Sequence, residues 1–307
     1  MDEQLHAAAV AIQKADVDSL NAILASTSDL PALLAAKVNR RDISNHAIGY
    51  DMTLLQIASL RKRNDIDMSV ALLDAGAEMD FHSACGLGVV IEIGSQLNSE
   101  PDLLSSSIDS YYPIQFAITA SQVESMKTLL EHGDDPNREL KKVAYFGWED
   151  DYDICQQTPW RPIHMASLWA FGESRIGVAQ CLLDHGADLN AVSPLSGNCP
   201  LHLVAMSGRT HMIRLFAEQG VDVNFPTRPY EPISVPDGDQ GPIPDCHDCT
   251  ALMIAAAEGF DEATQCLLEL GADANAKNSL GQTALDLAKK RFWNGQPYDR
   301  VIQLLNS

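Results

Sequence analysis

The stretch "PDCHDC", residues 244–249, sets two cysteines at C-x-x-C spacing around a histidine, with Asp245 and Asp248 beside them. Thiolates and imidazole bind zinc, and a C-x-x-C pair is also a redox dithiol. Structural zinc normally takes four ligands, and Cys246 and Cys249 supply two, with His247 badly placed between them to join. No second C-x-x-C and no H-x-x-x-H completes the set. No metal and no cofactor is therefore expected here. A second set, Asp151, Asp153, Asp245 and His247, offers carboxylates and an imidazole for acid–base work. Nothing in the sequence brings these four together, and no G-x-S-x-G, H-E-x-x-H or phosphate-binding loop accompanies them. The "GLG" at 86–88 is not followed by the rest of a dinucleotide fingerprint.

What must position these residues is a repeat. Alignment on the alanine that ends a short apolar run picks out "TALDLA" at Ala288, "TALMIA" at Ala255, "RPIHMA" at Ala166 and "YPIQFA" at Ala117. It also picks out "MDFHSA" at Ala84, "TLLQIA" at Ala58 and "QLHAA" at Ala8, with Val204 standing in "CPLHLV". The steps 255→288 and 84→117 are both 33 residues, and the others read as that unit with insertions or one deletion. A second marker keeps the phase: "LLELGADAN", "LFAEQGVDVN", "LLDHGADLN", "LLEHGDDPN" and "LLDAGAEMD" each follow the alanine. The steps 255→271, 204→220 and 117→133 from that position to the glycine are all 16.

On these markers the chain resembles the ankyrin-repeat family along essentially its whole length, with about eight units. The fold expected is an all-α repeat solenoid of helix-turn-helix units joined by β-hairpin-like fingers. The units run 1–48 (divergent), 49–78, 79–108, 109–157, 158–193, 194–244, 245–277 and 278–307, the first and last reading as terminal caps of a whole array. Thr250 and Thr283 sit where a hydroxyl caps a helix, and Pro113, Pro162 and Pro200 fall in first helical turns. Gly133, Gly186, Gly220 and Gly271 end second helices, where a positive φ is needed. The resemblance makes His82, His164 and His202 structural, bracing fingers and helices, with Gln56, Gln115, Met253 and Asp286 in their place elsewhere. His132 and His185 fall at helix C-termini, where a partial positive charge is favoured. The repeat also answers the opening question: Cys246, His247 and Cys249 occupy an outward-facing finger tip ahead of Thr250.

Two insertions interrupt the array. From Gly133 to Ala166 the step is 33 rather than 17, and the excess carries Tyr145, Phe146, Trp148, Tyr152 and Trp160 with Glu149, Asp150, Asp151 and Asp153. From Gly220 to Ala255 the step is 35, and that stretch holds six prolines and Tyr230. The fingers project along one edge, about 20 Å apart for units stacked at helix-packing distance. Between them Leu168, Trp169 and Met206 take inner-face positions. Aromatics and a methionine rimmed by acids suit a protein-binding hot spot, so these residues with Cys246 and His247 are the expected partner-binding site. The competing reading packs the aromatics back onto the scaffold. "EDDYD" and "DGDQG" lack the register of a calcium loop.

Composition bounds the partner. Forty-two acidic against twenty-one basic residues give a net charge of −21. Such a field repels nucleic acid and anionic lipid and attracts a basic protein surface. The expected function is a non-catalytic protein–protein interaction module. The alternatives are an acidic inhibitor or immunity-type protein masking a basic enzyme or toxin, and an enzyme with a site between the insertions. The basic runs Arg61–Arg63 and Lys289–Arg291 read as balancing local charge. The start carries no secretory pattern, no apolar run approaches eighteen residues, and the seven scattered cysteines suit a reducing compartment. A cytoplasmic address and a monomer when free are expected, with non-classical secretion left open.

Overall fold

The computed structural model describes residues 2–38, 51–60, 66–140, 160–167, 174–193, 197–228, 247–291 and 298–306. The chain divides into two compact units, residues 1–156 with 172–186, and residues 157–171 with 187–307.

The first unit opens with α1 (Asp2–Lys14), α2 (Val17–Ser26) and α3 (Leu30–Ala35), then strands β1 (Lys37–Val38) and β2 (Met52–Thr53). The strands pair antiparallel, with Lys37 opposite Thr53 and Val38 opposite Met52. Helix pairs follow: α4 (Leu54–Ser59) with α5 (Ile66–Asp74), α6 (Phe81–Leu87) with α7 (Val90–Ser99), and α8 (Pro113–Thr119) with α9 (Val123–Glu131). In the second unit stands α10 (Pro162–Ser167), and the chain then returns to the first unit for α11 (Ser174–Asp184). The second unit continues with α12 (Pro200–Ala205) and α13 (Thr210–Glu218), α14 (Ala251–Glu258) and α15 (Asp261–Glu269), and α16 (Ala284–Arg291) and α17 (Asp299–Leu305).

Each unit has two helical layers. In the first, α4, α6 and α8 pack side by side, and α9 lies between α7 and α11. In the second, α10, α12, α14 and α16 form one layer and α13, α15 and α17 the other. The first helices are short and almost wholly buried: every residue from Leu54 to Ser59, Pro113 to Thr119 and Ala251 to Ala257 is inside. Ala117, Ala166, Ala255 and Ala288 are at 0 % exposure, which is why that position takes alanine. In the second helices the first leucine of each pair (Leu129, Leu182, Leu267) is fully buried while its neighbour lies nearer the surface. No helix among the described residues is long and apolar enough to cross a membrane.

The expected caps are present. Thr250 Oγ1 accepts from Met253 N at 3.4 Å and Thr283 Oγ1 from Asp286 N at 3.2 Å. Pro113, Pro162 and Pro200 open α8, α10 and α12. Gly133, Gly186, Gly220 and Gly271 hold φ of 98°, 88°, 83° and 90°. The turns that join first to second helices need the same left-handed residue, and they meet that need unevenly. Gly88, Gly208 and Gly259 supply it at φ 82°, 67° and 79°, whereas Ala15 and Ser121 are forced to 55° and 58°. The third repeat, without the usual glycine ending, closes through a 3-10 turn at Pro101–Ser105 and a tight finger in which Ile108 bridges Tyr111.

Candidate functional site

One hydrogen-bond pattern recurs at the start of the first helices, made by three kinds of side chain. His164 Nδ1 accepts from Arg161 N and His202 Nδ1 from Cys199 N, both at 3.1 Å. Gln56 Oε1 takes Thr53 N at 2.8 Å, Gln115 Oε1 takes Tyr112 N at 2.9 Å, and Asp286 Oδ2 takes Thr283 N at 3.0 Å. Because Nδ1 accepts, the opposite ring nitrogen of each histidine is the protonated one, and it donates to a finger carbonyl. The acceptors are Ala191 O at 2.9 Å for His164 and Phe225 O at 2.8 Å for His202. Both rings are fully buried, and that burial holds their pKa down at about 4. They are neutral braces, as the repeat implied, and their geometry leaves them no free nitrogen for acid–base chemistry.

His82 departs from this role. Asp80, rather than the residue three positions before His82, caps α6, through Oδ1 contacts from His82 N and Ser83 N at 2.9 and 3.1 Å. The ring is therefore out of phase with the helix start. It packs edge-on to Phe116 at 5.2 Å, and burial holds its pKa down at about 4. His132 and His185 donate from Nδ1 to the carbonyls of Thr128 and Cys181, at 2.7 and 2.8 Å, which satisfies helix ends as expected.

The fingers of the second unit are tied to one another. Arg228 N donates to Gly197 O at 2.9 Å, Thr227 N to Cys249 O at 2.8 Å, and Ser279 N to His247 O at 3.0 Å. Cys249 N returns a bond to Thr227 Oγ1 and His247 N one to Ser279 Oγ, at 3.0 and 3.1 Å. This corrects two expectations for the CHDC stretch. Cys249 is 1 % exposed and closes the base of its own finger against Thr227, rather than facing outward. It is also disulfide-bonded, where a reduced thiol was expected. Cys85, Cys181, Cys199 and Cys266 are free and buried. Among the described residues no three His, Cys, Asp or Glu side chains gather as a metal site.

Of the expected partner-binding residues, Tyr145, Phe146, Trp148, Glu149, Asp150, Asp151, Tyr152, Leu168, Trp169, Tyr230 and Cys246 lie outside the described residues, as do Asp153 and Asp245 of the acid–base set. Three can be placed. Trp160 is 6 % exposed and sets its ring edge-on to His164 at 5.8 Å, so it belongs to the scaffold and not to the surface. His247 is half-buried in the finger row. Met206, the C-cap of α12, is partly exposed.

Several side chains that sequence reading passed over hold the fingers. Asn224 donates to Gly271 O at 3.3 Å and accepts from Asp273 N at 2.7 Å, and Asn137 donates to Gly186 O at 2.9 Å. The signal was available, since these are the asparagines that close "VDVN" and "DDPN". Asn278, 5 % exposed, accepts from Leu280 N and Gln282 N at 3.0 and 2.9 Å and fixes the last finger turn. Asp134 stands where Ala77, Ala187 and Ala272 stand in other units. Its buried carboxylate takes Arg138 Nε and Nη2 at 3.0 and 2.6 Å, and the guanidinium lies 4.7 Å from the Tyr112 ring centre. Burial raises the Asp134 pKa even against that arginine.

Family models described as "Ankyrin repeats (many copies)" and "Ankyrin repeat" match residues 163–217 and 247–279. The ankyrin repeat protein nuc-2 of Neurospora crassa is 26% identical over 240 residues, 78% of this chain and 18% of that protein. Human ankyrin repeat and SOCS box protein 6 is 33% identical over 110 residues, 35% of this chain and 22% of that protein. The E3 ubiquitin-protein ligase KEG of Arabidopsis thaliana is 28% identical over 111 residues, 36% of this chain and 6% of that protein. The chain thus spans about a fifth or less of the length of these curated relatives. Residues 163–217 and 247–279 are thus ankyrin repeats, and capped helix pairs ended by left-handed glycines occur outside those two stretches as well.

Proposed function

We propose that this chain is a non-catalytic protein–protein interaction module that takes its partner on the inner face of the array and on its fingers. The observation that carries the reading is how the repeat uses its chemistry-bearing groups. His164 and His202 are buried, neutral and bound at both nitrogens, so the recurrent histidines serve the scaffold and are withdrawn from acid–base chemistry. Trp148, Trp169 and Tyr230 join this surface on sequence grounds. The relatives support the scaffold and not an activity, because the shared stretch is 22% of the SOCS box protein and 6% of the ubiquitin ligase.

The net charge of −21 favours a partner with a basic surface, met through the acidic insertion around Glu149–Asp153. An inhibitor that masks a basic enzyme is the sharper form of that reading. Affinity capture from the host's lysate tests it, with the intact chain against a Trp148→Ala/Trp169→Ala variant. A single protein recovered stoichiometrically by the intact chain and lost by the variant is expected. Equal recovery by both would remove these residues from the site.

A further inference from the structure

Several of the described cations are paired with carboxylates, Arg300 of the last repeat among them. Lys37, Lys127, Arg138, Arg214 and Arg300 each lie within 3.9 Å of a carboxylate. Lys277, Lys289 and Lys290 are all exposed, and among the described residues none of them has a carboxylate at ion-pair distance. Lys289 and Lys290 follow Asp286 by three and four positions on α16, so the three share one helix face. Lys277 comes to that face from the preceding finger. The Asp286 carboxyl is held below its usual range by the Thr283 N–H and hydroxyl first, and further by the charges of Lys289 and Lys277. One carboxylate, already engaged at 3.0 and 2.8 Å by Thr283, leaves three lysines largely uncompensated.

An apolar anchor stands in the same repeat. Leu280 is 57 % exposed, in a turn that Asn278 fixes through Leu280 N and Gln282 N. A large apolar side chain held rigidly in the open loses little entropy on being covered, which is what a hot-spot residue requires. Lys290 stands at the repeat position that Met206 takes in α12 and Ala257 in α14.

We infer that the finger and first helix of this repeat, through Lys277, Leu280, Lys289 and Lys290, dock an acidic segment of a partner protein that places an apolar residue beside its carboxylates. This rests on the interaction-module reading and reverses its charge at one end of the array. The whole chain's charge of −21 opposes an acidic partner at long range. The attraction is therefore local, acting within a Debye length of about 8 Å at physiological salt. Glu258 and Asp248, on the neighbouring repeat, are the acids that limit how many carboxylates the segment brings.

A random peptide library displayed on phage tests this at 150 mM salt, selected on the whole chain and on a Lys289→Glu/Lys290→Glu variant. The expected outcome is peptides rich in Asp and Glu beside Leu or Phe, bound by the intact chain and weakened about tenfold by the variant. Leu280→Ala, a surface change that leaves the fold intact, should weaken the same peptides several-fold. Basic peptides that bind the variant equally well would overturn the inference while leaving the interaction-module reading standing. Acidic peptides indifferent to both substitutions would also overturn it. No enrichment by either bait would count against the inference and that reading together.

Discussion

At the scale of single residues, a buried imidazole does the work of an amide. His164 and His202 are held at a pKa of about 4 by burial, against an ordinary value of 6.5. The unfolded chain takes up protons at these two sites as pH falls below 6.5, while the folded chain stays neutral until about 4. Their contribution is therefore present above pH 6.5 and is lost between 6.5 and 4, by roughly 3 kcal/mol per histidine at the acid end. Chemical denaturation at pH 7.5 and 4.5 should show the fall. His202→Gln should flatten it, because Gln56 and Gln115 already make the same bond to the capping residue. A variant as acid-sensitive as the parent would remove His202 from that role. The left-handed turns give a second residue-scale test. Ala15 and Ser121, at φ 55° and 58°, occupy a region that costs a side chain about 1–2 kcal/mol. Ala15→Gly and Ser121→Gly should each raise the denaturation midpoint, by up to about 1 kcal/mol after glycine's greater unfolded-state freedom is subtracted.

Between elements, the turns of adjacent repeats lock onto one another, and this was only partly readable in the sequence. A Cβ added at Gly208 would meet the Phe260 ring at 2.7 Å, and one at Gly259 would meet Tyr298 at 2.9 Å. Gly220 has the same sign of φ, at 83°, with nothing within 4 Å. Gly220→Ala should thus cost only the backbone penalty of about 1–2 kcal/mol, and Gly208→Ala clearly more, as thermal unfolding of the pair would reveal. The 33-residue markers announced the helix pairs, the caps and the glycines, because each repeat needs the same chemistry at the same place. They did not announce the ring that covers each turn, since Phe260 and Tyr298 come from the following unit and carry no local signal. The phase of α6 was illegible for a similar reason: alignment on Ala84 placed His82 correctly in number, yet Asp80 took the cap one residue late. Trp160 shows the limit of composition, for an aromatic in an acidic insertion looks like a contact residue until the His164 ring is found beside it. Asn224 links its finger to the next helix end, and Asn224→Ala should cost about 1 kcal/mol and speed exchange of the Asp273 amide.

For the whole molecule, the buried polar groups of the repeats fix the fingers, and on the proposed function inner-face and finger side chains then meet the partner. On the proposed readings, the acidic insertion would meet a basic patch and the last repeat would meet carboxylates. Neither follows from the fold, which sets where contacts occur and not which ones.

The most direct measurement is hydrogen exchange read by mass spectrometry, on the chain alone and with its captured partner. The account predicts slowed exchange in the finger segments 197–199, 225–228, 247–250 and 277–283 and at the ends of α12, α14 and α16, with α13 and α15 unchanged. Protection confined to α13 and α15, with the fingers exchanging as before, would contradict it.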